Sequence, residues 1–84
     1  MADTFQIEIA TPEKLVLNER AESAQIPGKD GYMGILPGHA ALLSELGSGL
    51  LSVNTGGKTL DFTISGGYVE VHENHVRVLA DTAE

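Results

Sequence analysis

Hydrophobic and polar residues alternate along much of this 84-residue chain. Near the start, Phe5, Ile7 and Ile9 are separated by the polar residues Gln6 and Glu8. Successive side chains of a β-strand point to opposite faces of a sheet, so this alternation is typical of a half-buried strand. The pattern recurs in later segments, carried by Leu60, Phe62 and Ile64, by Val69 and Val71, and by Val76 and Val78. The chain is therefore predicted to consist mainly of strands.

Turn-forming residues separate these segments at short intervals. They are Pro12 in "ATPEK", Gly56 and Gly57 in "NTGGK", Gly66 and Gly67 in "SGG", and the dipeptide "EN" at 73–74. Glycine adopts positive φ without steric cost, so such clusters predict hairpin turns. Many short strands at this spacing predict an all-β fold, a two-sheet antiparallel β-sandwich. The length fits one domain, residues 1–84.

The segment "GHAALLSEL" at 38–46 allows two interpretations. In a helix, Leu42, Leu43 and Leu46 would share one side of two turns. Glycines bound the segment, and an isolated helix this short is marginal in water. We expect an extended or irregular conformation.

The charge balance restricts the classes of partner. The chain carries 12 acidic and 5 basic residues, a formal net charge of −7, and no cysteine. Such a surface repels phosphate backbones and anionic lipid headgroups. No apolar run approaches the roughly 18 residues of a membrane span. We expect no nucleic-acid partner and no direct insertion into lipid, so that any membrane association goes through another protein.

The glycines of "IPGKDGYMGILPGH" invite comparison with a phosphate-binding loop. A P-loop requires Ser or Thr after its lysine and a helix that follows. Here Asp30 follows Lys29, and no helix is predicted next. Gly28, Gly31 and Gly34 are instead spaced for a tight reversal between two strands. We therefore do not expect nucleotide binding by this loop.

The three histidines do not form a recognisable catalytic or metal site. A hairpin turn at 73–74 would bring His72 opposite His75, but Glu73 is the one obvious further ligand. His39 follows a Pro-Gly pair and has no nucleophile or carboxylate partner in its neighbourhood. We expect no metal, no cofactor and no catalytic residue, and we interpret His39 as a loop anchor or a contact to another protein.

Leucine is concentrated in the middle of the chain. The residues are Leu42, Leu43, Leu46, Leu50 and Leu51, and Leu79 falls out of phase with the valines before it. Most apolar residues are buried, but this density exceeds what one face of a thin sandwich needs. Some of these leucines are therefore candidates for an exposed patch that binds a partner. Residue chemistry alone indicates an acidic, non-catalytic β-sandwich in a complex, and the alternative is a stand-alone ligand-binding or nucleotide-sensing module.

Three segments together resemble the epsilon subunit of bacterial F-type ATP synthase. They are "IPGKDGYMGILPGHAALLSEL", "GSGLLSV" and "FTISGGYVEVHENHVRVLADTAE", and the resemblance covers essentially the whole chain. The ordered matches are Gly34, Ile35, Pro37, Gly38, His39, Ala40, Leu42, Leu43, Ser65, Gly66, Gly67, Val76, Val78, Leu79, Ala80 and Asp81. Two positions depart from the family: Ala41 replaces the usual proline, and Tyr32 stands where many relatives carry an acidic residue.

The resemblance implies a non-catalytic subunit in the central stalk of a proton-transporting ATP synthase. In that role the domain joins subunit gamma to the polar loops of the c ring, at the cytoplasmic face of the bacterial plasma membrane, and needs no cofactor. The candidates for the c-ring contact are Asp30, Tyr32 and His39. The candidates for the gamma contact are Ala40, Leu42, Leu43 and Leu79.

The family also implies a second domain. Its typical bacterial members continue into two C-terminal helices, which inhibit ATP hydrolysis and in some members bind ATP. This sequence ends at Glu84, where those helices would begin, so the helical domain is absent from residues 1–84. The resemblance therefore implies that these 84 residues neither inhibit hydrolysis nor bind ATP appreciably.

Overall fold

The computed structural model describes residues 3–84. All regular secondary structure in this range is β-strand. The eight strands are β1 (Phe5–Ala10), β2 (Leu15–Ala21), β3 (Ser23–Gly28), β4 (Gly31–Ile35), β5 (Leu42–Glu45), β6 (Ser48–Thr55), β7 (Lys58–His72) and β8 (His75–Ala83). The predicted all-β fold is confirmed. Within this described range, no helix has the length and apolar character needed to cross a membrane.

The strands form two layers because the long strand β7 contributes to both. The hydrogen-bonded order is β2-β1-β8-β7-β6-β3-β4, and β5 pairs with β7. Residues 58–65 of β7 pair with β6, whereas residues 68–71 pair with β5 on one side and β8 on the other. The first layer thus contains β4, β3, β6 and the first half of β7. The second layer contains β5, the second half of β7, β8, β1 and β2.

Gly66 and Gly67 form the bend that carries β7 from one layer to the other. Their φ angles are +68° and +107°, and the pairing with β8 skips Gly66. A β-carbon on Gly67 would collide with the backbone carbonyl of Leu79. The prediction of a hairpin turn at "SGG" was therefore wrong. The glycines allow a close backbone approach inside a continuous strand, which is the other common role of glycine in a sheet.

The remaining glycine and asparagine signals mark turns as predicted. Gly56 and Gly57 join β6 to β7 with φ angles of +58° and +81°. Glu73 and Asn74 join β7 to β8 with φ angles of +48° and +60°. Positive φ at both central residues defines the turn type whose twist suits a two-residue hairpin. The segment 38–46 contains strand β5 rather than a helix, so the expectation of an extended conformation is confirmed.

Strand β1 makes the one parallel pairing among the named strands of residues 3–84. It runs antiparallel to β2 and parallel to β8, with Ile7 beside Val76 and Ile9 beside Val78. All other paired strands are antiparallel, in agreement with the predicted sandwich. Because β1 lies between β2 and β8, it joins β2 to the rest of the second layer.

The core lies between the two layers and is built from the alternating apolar positions. Its residues are Phe5, Ile7, Ile9, Ala21, Ala24, Ile26, Ile35, Leu46, Leu51, Val53, Ile64, Val69, Val71, Val76, Val78 and Ala80. No polar or charged residue of the described range is buried. Among the leucines, Leu46 and Leu51 belong to this core, whereas Leu43, Leu50 and Leu79 are exposed. The sequence pattern allowed either burial or exposure for these leucines.

Candidate interaction surfaces

An apolar stripe crosses the outer face of the second layer. Tyr68 of β7 lies opposite Leu79 of β8, Leu79 lies beside Ala10 of β1, and Ala10 lies opposite Leu15 of β2. The side chains of Tyr68, Leu79 and Leu15 are 54%, 51% and 57% exposed. Since neighbouring strands lie about 4.8 Å apart, this row of four residues extends about 14 Å across the sheet. The three large exposed side chains of this row, those of Leu15, Tyr68 and Leu79, are called the apolar stripe.

A charged row runs beside the apolar stripe on the same face. In this row Glu70 lies opposite Arg77, and Arg77 lies beside Glu8. The Glu8 carboxylate lies 2.5 Å from Nε2 of His75 and 3.8 Å from Nη2 of Arg77. Leu43 of the edge strand β5 extends this row and is 72% exposed. The face thus places a charged row beside an apolar row, and apolar and polar groups also occur together in protein–protein interfaces.

The outer face of the first layer carries a separate group of exposed apolar side chains. Leu36 and Leu50 are 63% and 47% exposed. Tyr32 is also exposed, and its hydroxyl accepts a hydrogen bond of 3.0 Å from the backbone N–H of Leu50. The ring passes over Gly49, where a β-carbon would lie 2.5 Å from the hydroxyl oxygen. Tyr32 therefore braces β4 against β6 in addition to presenting an exposed ring.

The three residues predicted to contact the c ring do not lie together. Asp30 is in the turn between β3 and β4, next to Lys29, whose Nζ lies 3.0 Å from Glu45 Oε2. His39 follows the opposite end of β4, and its Nδ1 lies 2.7 Å from the backbone oxygen of Ala40. Tyr32 lies on β4 between them. The set therefore spans the length of one strand.

The four residues predicted to contact gamma divide between two environments. Leu43 and Leu79 are exposed on the outer face of the second layer, and Ala40 is exposed in the loop before β5. Leu42 faces the other way, because it neighbours Leu43 on the same strand, and it packs against the core. Of the four, Leu43 and Leu79 thus offer large apolar side chains to a partner.

Sequence reasoning missed Leu15 and Tyr68. Tyr68 alternates with Val69, so its outward direction could have been read from the strand pattern. Leu15 could not, because the register between β1 and β2 shifts at a bulge between Ile9 and Ala10. A bulge of this kind is defined by the pairing of two strands and leaves little trace in either sequence.

The histidine pair forms as predicted at the end of the β7–β8 hairpin. His72 lies directly opposite His75, and His75 Nε2 is in contact with Glu8 rather than with His72. In residues 3–84, no three His, Asp or Glu side chains lie close enough together to hold a metal ion. The glycine loop between β3 and β4 is a two-residue hairpin turn at 29–30.

The layers, the core and the two exposed apolar faces define a β-sandwich domain with surfaces suited to protein contacts. Residues 4–84 match the family described as ATP synthase, Delta/Epsilon chain, beta-sandwich domain. The chain belongs to this family, so the resemblance found in the sequence is confirmed.

Relatives and solved structures agree with this assignment. The chain is 49% identical to the ATP synthase epsilon chain of Solibacter usitatus (strain Ellin6076) and 51% identical to that of Koribacter versatilis (strain Ellin345), over all of its 84 residues. It spans 63% and 59% of the lengths of these two proteins. It also superposes with a TM-score of 0.90 on a chain in the cryo-EM structure of Euglena gracilis mitochondrial ATP synthase with its c-ring, at 27% identity, covering 96% of this chain and 52% of that one. A chain of the Tetrahymena thermophila mitochondrial ATP synthase central stalk and c-ring has the same fold, with a TM-score of 0.79 at 22% identity, covering 94% of this chain and 64% of that one.

Proposed function

We propose that this domain is the N-terminal β-sandwich of a non-catalytic epsilon subunit in the rotor of a bacterial F-type ATP synthase. In this role it joins subunit gamma to the c ring and supports the coupling of proton flow to ATP synthesis. The observation that carries the proposal is the family match over residues 4–84, together with epsilon-chain relatives 49% and 51% identical along the whole chain. The assembly would hold the domain at the cytoplasmic face of the plasma membrane.

The gamma contact is proposed for the outer face of the second layer. Leu43 and Leu79 are its central candidates, and the apolar stripe adds Leu15 and Tyr68. Large exposed apolar side chains arranged in one row favour a protein partner, since monomeric proteins rarely leave such rows in water. Ala40 and Leu42, the other two candidates, lie on the loop and strand that border this face.

The c-ring contact is proposed for the strand β4 and its two ends. Asp30 and His39 lie at opposite ends of this strand, and Tyr32 lies between them. Each end can be tested separately, because a substitution at 30 leaves the surroundings of His39 unchanged. Polar side chains at both ends fit contacts with the polar loops of a ring.

The local structure of the glycine loop also fits a subunit that acts through protein contacts rather than through nucleotide binding. The turn at 29–30 is a tight β-hairpin whose lysine is paired with Glu45, so its backbone does not wrap around a phosphate. This supports the proposal that residues 1–84, taken by themselves, neither bind ATP nor inhibit its hydrolysis.

The proposal is tested by co-purification with gamma and the c ring from the same source. The 84-residue chain is expected to form a complex with gamma that survives gel filtration, and the complex is expected to bind the c ring. Failure to bind the cognate gamma would contradict the proposal. Binding to gamma without any binding to the c ring would overturn the joining role and leave a gamma-binding domain.

A further inference from the structure

Asn74 connects three separate parts of the fold at one end of the sandwich. It lies in the β7–β8 turn, and its backbone oxygen accepts a 2.9 Å hydrogen bond from the N–H of Gln6 at the start of β1. Its side-chain Oδ1 accepts a 2.7 Å hydrogen bond from the N–H of Gly38. Gly38 is 36 positions away in the sequence, so this bond fixes a distant loop to the hairpin.

The loop held in this way carries His39. Residues 36–39 form a turn closed by a 3.1 Å hydrogen bond from the N–H of His39 to the oxygen of Leu36. Gly38 has a φ angle of +83°, and no heavy atom beyond its two neighbours in the chain lies within 4 Å of the position of its missing β-carbon. None of residues 36–39 is buried. Among the described residues, the bond from Gly38 to the Asn74 side chain is the one side-chain hydrogen bond that joins this loop to the β7–β8 hairpin.

The surface around this bond is polar. A shallow depression at this end is lined by Asp3, Thr4, Arg20, Pro37, Gly38 and Asn74. Arg20 is itself fixed by hydrogen bonds from its guanidinium to the hydroxyl and the carbonyl of Thr4. A surface of this composition suits a polar loop rather than the apolar segment expected at the stripe.

We propose that Asn74 is a positioning residue, which holds the 36–39 loop so that His39 and the polar depression form one binding surface for a polar loop of the c ring. The inference rests on the proposed function for its partner, but the bond itself can be tested without any partner. Asparagine suits this position for two reasons. It tolerates the positive φ of the turn, and its amide oxygen reaches the Gly38 N–H.

The decisive variant is Asn74→Gly, because glycine keeps the positive φ of the turn and removes only the side-chain acceptor. Asn74→Asp retains an oxygen at the same position and is the rescue variant. Glu73→Gly is the matched control, since Glu73 has a similar φ of +48° in the same turn but is not bonded to the loop.

The first measurement is the amide hydrogen-exchange rate of Gly38 by NMR in the 84-residue chain. Asn74→Gly is expected to raise this rate about fivefold to tenfold, the change produced by loss of one ordinary hydrogen bond. Asn74→Asp and Glu73→Gly are expected to leave the exchange rate of Gly38 within about twofold of the wild-type rate, because both keep the hydrogen bond. An unchanged rate in Asn74→Gly would overturn the inference at its structural step.

The second measurement is binding of the complex of the chain with gamma to isolated c ring. Asn74→Gly is expected to weaken this binding, and Asn74→Asp to restore it, while the unfolding temperature of all variants stays close to that of the wild type. If exchange rises but binding does not change, and His39→Ala does weaken binding, the positioning role of Asn74 is wrong. If neither Asn74→Gly nor His39→Ala affects binding, the failure lies in the proposed c-ring contact at this end, and the inference falls with it.

Discussion

Gly67 illustrates how single residues determine this fold. It lies in the bend of β7 with a φ of +107°, and its missing β-carbon makes room for the carbonyl of Leu79. Any other residue would meet both a strained backbone and a collision with another strand. Gly34, by contrast, lies in β4 with open space where a β-carbon would be.

Gly67→Ala is therefore predicted to lower the free energy of unfolding by about 2–4 kcal/mol. Gly34→Ala is the control, and it is predicted to change stability by less than about 0.5 kcal/mol. Urea denaturation followed by circular dichroism measures both values. Equal effects of the two substitutions would show that the bend does not require glycine.

A substitution at His39 is predicted to weaken assembly without lowering the stability of the domain. Among the described residues, the imidazole ring makes one hydrogen-bond contact, to the backbone oxygen of the adjacent Ala40. The residue is not part of the core. His39→Ala is predicted to leave the unfolding temperature within about 2 °C of the wild type, because surface substitutions cost little. Assembly with the c ring is predicted to weaken. A fall of many degrees would show instead that His39 is needed for the fold.

The sequence predicts the backbone conformation at a residue only where that residue type commonly serves one kind of local structure. Gly56, Gly57 and Asn74 form turns as expected, because positive φ in a two-residue hairpin favours these residues. The prediction for Gly66 and Gly67 was wrong, because glycine occurs both in turns and in bends within strands. The choice between the two depends on how the following strand β8 pairs with β7, which the glycine pair by itself does not show.

Strand β1 is the element on which the second layer depends most. It separates β2 from β8 and alternates buried and half-buried residues along its whole length. Ile7 is fully buried between Val76 of β8 and the opposing layer. Its side chain therefore contributes to both the sheet and the core.

Ile7→Ala is predicted to cost about 2–5 kcal/mol of unfolding free energy, the usual range for removing most of a buried aliphatic side chain. Small domains are stable by only about 5–15 kcal/mol, so this loss is a large fraction of the total. Thermal unfolding of this variant and of Gln6→Ala, a control on the outer face of the same strand, tests the prediction. A small effect at Ile7 would mean that β1 is not essential to the layer.

At the scale of elements, alternation predicted which segments are strands but not how they pair. The segments containing Phe5, Leu60, Val69 and Val76 are all in strands, although Leu60 and Val69 belong to the single long strand β7. The bulge at Ala10 depends on the register between β1 and β2, and the parallel pairing of β1 with β8 depends on contacts between the two ends of the chain. That pairing places Leu15 in line with Leu79, which is why the sequence revealed only part of the apolar stripe.

The whole molecule is a compact body of 35 × 23 × 19 Å whose exposed apolar groups lie on two different outer faces. Short turns of two residues join β3 to β4, β6 to β7 and β7 to β8. Such a body suits a part that connects two partners, because each face can be occupied without covering the other. The two partners proposed above come from the family resemblance rather than from the residue pattern.

The two faces provide a matched pair of substitutions. Leu79 belongs to the apolar stripe and Leu50 to the first layer, and their side chains are 51% and 47% exposed. A glutamate at either position adds the same charge at similar exposure and removes the same apolar side chain. A difference between the two variants therefore reports which face the partner occupies.

The most direct test of this account is the affinity of the 84-residue chain for its cognate subunit gamma, measured by isothermal titration for the wild type, Leu79→Glu and Leu50→Glu. The account predicts that Leu79→Glu weakens binding at least about tenfold, as expected for a charge introduced into an apolar contact, and that Leu50→Glu leaves it nearly unchanged. No binding by the wild type, or equal binding by both variants, would contradict it.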